Sequence, residues 1–224
     1  MAQLIGIMGE PGTGKSTSLK SLPAEETFYC DCDGKGLNWR GWREQYRNEK
    51  GGNYIKTSIP QTVITALSRM NDWVDANGQK HEGQKQFKYF VVDTVNNIMV
   101  SDEMRRCKEK GYDKWMDLAS SIWELVDIPS RLRDDLTVIL LFHTQTEMTD
   151  YGYEFTRIKT NGRKTEKNNI DSKFNWLLRS VKQDGKYLFE TTAHNSTART
   201  PLEAFSEEYI PNDIMKVIEV MKEF

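Results

Sequence analysis

The feature that most constrains this chain is Gly9-Glu10-Pro11-Gly12-Thr13-Gly14-Lys15-Ser16, which matches the spacing G-x-x-x-x-G-K-S/T. It follows the apolar run Leu4-Ile5-Gly6-Ile7-Met8 and precedes a helical segment, Lys15 to about Leu22, that Pro23 stops. Strand, glycine-rich turn and helix in that order form a cradle for phosphate. The glycines let backbone N–H groups curl inward where a Cβ would block the dihedrals, and the helix N-terminus adds positive potential. The expected nucleotide-binding set is therefore Gly9, Glu10, Pro11, Gly12, Thr13, Gly14, Lys15, Ser16 and Thr17. Lys15 would reach the β- and γ-phosphates of ATP, and Ser16 would offer its hydroxyl to Mg²⁺.

A phosphate loop needs a second acid to hold the metal at the end of a neighbouring buried strand. Asp93 closes Tyr89-Phe90-Val91-Val92, a short all-apolar run of the kind buried on both faces of a parallel sheet. Further strands are expected at 27–33 and, most strongly, at Leu136–Phe142. Strand and helix alternate through residue 142, which predicts an α/β fold: a mainly parallel sheet flanked by crossover helices. Two strands at 176–181 and 187–192, joined at Asp184-Gly185, predict a small antiparallel extension. Residues 1–224 are expected to form one domain.

Local patterns add detail. Residues 34–53 lack a clean period and read as a loop with one helical turn. A helix from Pro60 carries Val63, Leu67, Met70 and Val74 on one stripe and closes at Gly78, before a polar loop at 77–86. Helices are expected at 96–110 and from Asp113, the latter with Trp115, Leu118, Ile122 and Val126 on one face. A hairpin over 151–164 would turn at Asn161-Gly162, followed by a short helix at 168–174 and a last helix at about 213–224. Of three cysteines, Cys30 and Cys32 stand two apart on a strand, so both thiols point to one face and read as core. An odd count excludes a disulfide scaffold. No apolar run approaches the ~20 residues of a membrane span, and the start lacks a signal peptide, so a soluble cytoplasmic protein is expected.

These residues together resemble the RecA-like ATPase core. In that family the catalytic acid ends the second strand, two residues beyond another acid; Tyr29-Cys30-Asp31-Cys32-Asp33 puts Asp33 at that position, with a side chain one methylene shorter. Many ring-forming ATPases of the AAA type instead carry a glutamate directly after the metal-holding aspartate, where this chain has Thr94. The resemblance also implies a γ-phosphate sensor after the strand at 136–142, either His143 or Gln145, and a transition-state arginine donated by a neighbouring subunit, Arg199. Over the whole length the order of motifs is similar to compact phage RecA-like ATPases of the Sak-four group. Shared features include the early phosphate loop, Val-Val-Asp, the strand ending in His, the segment 167–176 and Ala198-Arg199-Thr200-Pro201. Asn175 stands where that pattern has an aspartate. The resemblance implies ATP and Mg²⁺ as cofactors and a role in single-strand annealing or recombination, in the host cytoplasm. Its implied partners are single-stranded DNA, further copies in a ring or filament, and a single-strand DNA-binding protein. The first strand begins near Gln3, leaving no N-terminal polymerisation arm, so an oligomer would use core surfaces.

Charge refines the partner question. The net charge is −2, which argues against a basic coat, yet 157–186 holds nine basic residues against three acids. Arg157, Lys159, Arg163, Lys164, Lys167 and Lys173 are the candidate DNA contacts, within a loop region spanning about 145–175. Tyr151, Tyr153 and Phe155 just upstream are candidates to stack on bases; the same stretch also fits a solvated hairpin with its aromatics turned inward. Two other functions fit the phosphate loop. One is a nucleotide-dependent switch or assembly factor that binds a protein partner; the other is a small-molecule kinase whose basic stretch serves as a lid.

Overall fold

The computed structural model describes residues 1–111, 113–161 and 169–224. Arg163, Lys164, Lys167 and the glycine of the Asn161-Gly162 turn lie outside the described residues, as does the start of the helix expected at 168–174.

The core is a mixed sheet in the order β11-β10-β9-β1-β7-β6-β2-β3. Its strands are β1 (Gln3–Gly9), β2 (Thr27–Asp31), β3 (Tyr54–Lys56), β6 (Tyr89–Asp93), β7 (Thr137–Met148), β9 (Trp176–Gln183), β10 (Lys186–Glu190) and β11 (Tyr209–Pro211). The six from β3 to β9 run parallel, while β10 and β11 add antiparallel at one edge. The register puts Gly9 level with His143, and Asp31 level with Asp93. All the strand ends of interest therefore open on one edge.

Alternation of side chains sends the sheet's apolar groups into two layers. One holds Met8, Cys30, Val92, Leu140 and Phe142 beneath α2 (Pro60–Ser68), α3 (Val95–Arg105) and α4 (Asp113–Asp127). The other holds Ile5, Ile7, Tyr29, Val91 and Leu141 against the 3₁₀ helix Ser16–Ser21 and α5 (Ile214–Met221). Gly6 faces the first layer, where a Cβ would lie 2.7 Å from Leu177 Cδ1 and 2.9 Å from Phe174 Cδ1, so its side of β1 has no room for a side chain.

Several boundaries differ from the sequence pattern. The segment after the phosphate loop is 3₁₀, with Ser18 Oγ donating to the Lys15 carbonyl at 2.6 Å, a local bond that competes with the α pattern. Helix α2 ends at Ser68, because Arg133 donates to the Met70 carbonyl at 3.2 Å and its N–H goes to Asn71 Oδ1 at 3.0 Å. Val74 therefore leaves the stripe; it is exposed in a two-stranded ribbon, β4 (Trp73–Val74) with β5 (Lys80–His81). On α4 the deepest positions are Ala119, Ile122, Leu125 and Val126, with Trp115 and Leu118 only half-buried. Strand β7 continues past Phe142 and pairs antiparallel with β8 (Glu154–Ile158), in a hairpin that turns at 149–153. Tyr151 and Tyr153 are exposed at that turn. At Asp184-Gly185 both residues have positive φ, 50° and 77°, the geometry a two-residue hairpin requires. No helix among the described residues is long and apolar enough to cross a membrane.

Candidate functional site

The phosphate loop is closed on itself. Lys15 Nζ donates to the carbonyls of Gly9 and Glu10, each at 2.8 Å, and the residue is buried. Thr13 N–H and its hydroxyl both reach the Glu10 carbonyl, at 3.4 and 2.8 Å. Gly12 and Gly14 have φ of 80° and 96°, which a side-chain-bearing residue adopts only with strain. Burial lowers the Lys15 ammonium to about 8, with the carboxylates of Asp93, Glu10 and Asp33 resisting that fall.

Outside groups hold this loop in place. Ser180 Oγ on β9 donates to the Thr13 carbonyl at 2.7 Å, and Asn212 Nδ2 donates to Ser180 Oγ at 2.8 Å. Thr144 Oγ1 donates to Glu10 Oε1 at 2.7 Å. The ring of Tyr187 lies against Gly14, where a Cβ would meet its Cδ1 at 2.9 Å, and forms a half-exposed wall beside the loop.

Asp93 ends β6 nearly enclosed. Tyr29 donates its hydroxyl to Asp93 Oδ2 at 2.6 Å, and Ser16 hydrogen-bonds the same carboxylate. Burial pushes the Asp93 carboxyl up; those two bonds oppose it, and the charges of Asp33 and Asp31 add to the rise. The following peptide, Asp93–Thr94, is cis. A hydroxyl and a carboxylate side by side are hard oxygen donors, which suit Mg²⁺ bound chiefly through substrate and water. Ser16 and Asp93 would hold it, and the ion would neutralise charge on the phosphate oxygens.

The two acids of the second strand have different surroundings. Asp31 is buried and accepts Gly34 N–H at 2.7 Å, Gly36 N–H at 2.8 Å and the Tyr54 hydroxyl at 2.5 Å. It is a structural acid that pins the loop after β2. Asp33 stands just past the strand end, accepts Thr94 Oγ1 at 3.0 Å and pairs with Lys35 Nζ at 2.5 Å. Asp33, Lys35, Asn96, His143 and Lys159 line a cleft of about 280 Å³.

Strand β7 enters the same cleft at His143, where its parallel pairing with β1 stops. Burial first, then the Lys15 charge, lowers the His143 imidazole, and its Nδ1 is buried with no partner among the described residues. Asn96, at the start of α3, accepts His143 N–H at 2.7 Å and donates to the Lys159 carbonyl at 2.7 Å, tying β7 to the chain after β8. Nothing in the local pattern around Asn96 marks that role. Gln145 turns to Glu147 at 2.9 Å. Arg199 pairs its backbone with Leu177, well back from the strand ends, and its Nε donates to the Thr197 carbonyl at 3.4 Å. The site thus gathers Lys15, Ser16, Asp33, Asp93 and His143; Gln145 and Arg199 lie apart from it within this subunit.

The family model for an AAA domain matches residues 1–200, from the phosphate loop through β10. The chain belongs to this AAA-domain family. It therefore contains a P-loop ATPase domain of the AAA type, and the matched residues include the loop at Gly9–Ser16. In this AAA domain Thr94, not an acid, follows Asp93. No curated protein matches the sequence.

The described cations of the basic stretch are partly compensated. Arg157 pairs with Glu147 at 2.9 Å, Lys173 with Asp127 at 2.9 Å, and Arg179 with the buried Glu190 at 3.1 Å. Lys159 lines the cleft beside His143.

Proposed function

We propose that the protein is an Mg-ATP-dependent ATPase with a RecA-like core that binds single-stranded DNA and assists strand annealing or recombination in a phage setting. The observation that carries this reading is the strand order. Strand β7 stands between β1 and β6, so it brings His143 between Lys15 of the phosphate loop and Asp33 of the second strand.

In this reading Lys15 leaves its loop carbonyls for the β- and γ-phosphates. Asp33 accepts a proton from water as the water oxygen attacks the γ-phosphorus. The bond to the β–γ bridging oxygen breaks, and ADP and phosphate leave. His143 reports the γ-phosphate, and Asn96 passes its displacement to the chain around Lys159. The Tyr187 ring offers a shelf for the adenine. Copies assemble through core surfaces, and Arg199 acts across the subunit boundary after releasing Thr197.

ATP turnover measured with and without single-stranded DNA across a salt series tests this. Stimulation that fades with salt is expected, and absence of DNA binding at low salt contradicts it. The compensated cations Arg157, Lys173 and Arg179 favour one second reading, a nucleotide-dependent switch that binds a protein partner. Charge reversal at Arg163 and Lys164 separates the two, since it weakens DNA binding and spares a protein partner.

A further inference from the structure

A second cleft, of about 400 Å³, opens beside the loop Gly34–Gly36. Lys35, Arg43, Arg47 and Lys56 line it together with Trp42 and Tyr54, and among the described residues no carboxylate does. Glu49 approaches only Arg47, at 3.9 Å. The Trp42 and Tyr54 rings stand 5.5 Å apart, and the Arg43 guanidinium lies 4.7 Å from the Trp42 ring centre.

This wall is built by the loop. Gly34 and Gly36 have φ of 70° and 77°, and a Cβ on them would meet the Lys56 stem at 2.4 Å and the Trp42 ring at 2.6 Å. Asp31 fixes both glycine N–H groups from below, and its charge is engaged there and with Tyr54. Lys35 lines this cleft and also the one beside His143, and its Nζ holds Asp33 at 2.5 Å. The Lys35 side chain is 71% exposed. An exposed pair of this kind contributes at most about 1 kcal/mol, so a bound phosphate can take the lysine over.

Four cations around a half-exposed indole, with acids reaching only Lys35 and Arg47 from outside the lining, match a phosphate joined to a flat base. An acidic peptide would use the cations and leave the ring without a partner. The volume lies within the range of about 300–1,000 Å³ typical of small-ligand sites. We propose that this cleft takes one nucleotide unit of single-stranded DNA, its base against Trp42 and its phosphate among Arg43, Lys56 and Lys35, and that binding draws Lys35 off Asp33. Release of the lysine frees the carboxylate to accept the proton of the attacking water. DNA thereby switches on hydrolysis through a loop only a few residues long. The inference rests on the ATPase reading of Asp33.

The test uses a labelled oligothymidylate at low salt, with anisotropy for binding and phosphate release for turnover. Arg43→Glu combined with Lys56→Glu is expected to weaken binding by at least about tenfold, while Arg43→Lys with Lys56→Arg retains it. Lys35→Gln is expected to raise the DNA-free rate and to shrink the stimulation by DNA. If the wild-type protein binds no oligonucleotide or hydrolyses no ATP, the proposed function falls and this inference with it. If the wild-type protein does both and the charge-reversed pair binds equally well, the cleft assignment alone is overturned. A DNA-free rate in Lys35→Gln that does not rise overturns the release of Asp33.

Discussion

In the proposed function Lys15 is the residue on which nucleotide binding turns. Its ammonium rests on two carbonyls of the same loop, nearly out of water. Replacing it by alanine removes charge-assisted bonds worth about 1.5–3 kcal/mol each, so ATP affinity is expected to fall at least about tenfold by calorimetry. Its lowered proton affinity, about 8, adds a pH signature. The free protein loses this proton as pH rises through that value, and phosphate binds the charged form. Affinity is therefore expected to hold steady just below that pH and to drop up to about tenfold per unit above it, with proton uptake on binding. Asp33 gives the complementary prediction. Asp33→Asn keeps the hydrogen-bonding shape but cannot accept a proton, so turnover is expected to fall about 10²–10⁴-fold with ATP affinity retained. The phosphate loop was legible in the sequence because its mechanism lies in eight contiguous residues. Asn96 was not, since its partners, His143 and Lys159, come from elsewhere in the chain.

At the level of elements, the site depends on β1 and β9 lying close. A Cβ on Gly9 would stand 2.6 Å from the Ser180 carbonyl oxygen, a backbone atom that cannot swing away. Gly9→Ala is expected to cost about 1–3 kcal/mol in thermal or urea unfolding and to weaken ATP binding by displacing the loop. The apolar runs announced β1, β2, β6 and β7, because strands buried on both faces leave few polar positions. The three-residue strands β3 and β11 carry too few residues for a period and exist by pairing with β2 and β10. The end of α2 was hidden for a similar reason: Arg133, distant in sequence, holds the Met70 carbonyl just beyond it. The hydrophobic stripe through Val74 continued past the point where that arginine holds the Met70 carbonyl. The extension of β7 into a hairpin with β8 was equally silent, since Thr144–Met148 is polar on both faces.

For the molecule as a whole, charge is arranged locally within a net −2. The basic excess late in the chain is partly neutralised by Glu147, Asp127 and Glu190, whereas the cleft beside Gly34–Gly36 has four cations and no lining acid among the described residues. The cleft follows the end of β2, on the sheet edge that also carries the phosphate loop. The fold class was legible from the alternation of strands and helices; the second cleft was not, because its walls come from α1 (Trp42–Gln45), β3 and the loop between them and β2. The most direct test is steady-state ATP hydrolysis by the purified protein with Mg²⁺, with and without single-stranded DNA, beside Lys15→Ala. Turnover that DNA stimulates and Lys15→Ala abolishes is the predicted result. Nucleotide binding without turnover under both conditions, or a Lys15→Ala variant as active as the wild type, would contradict the account.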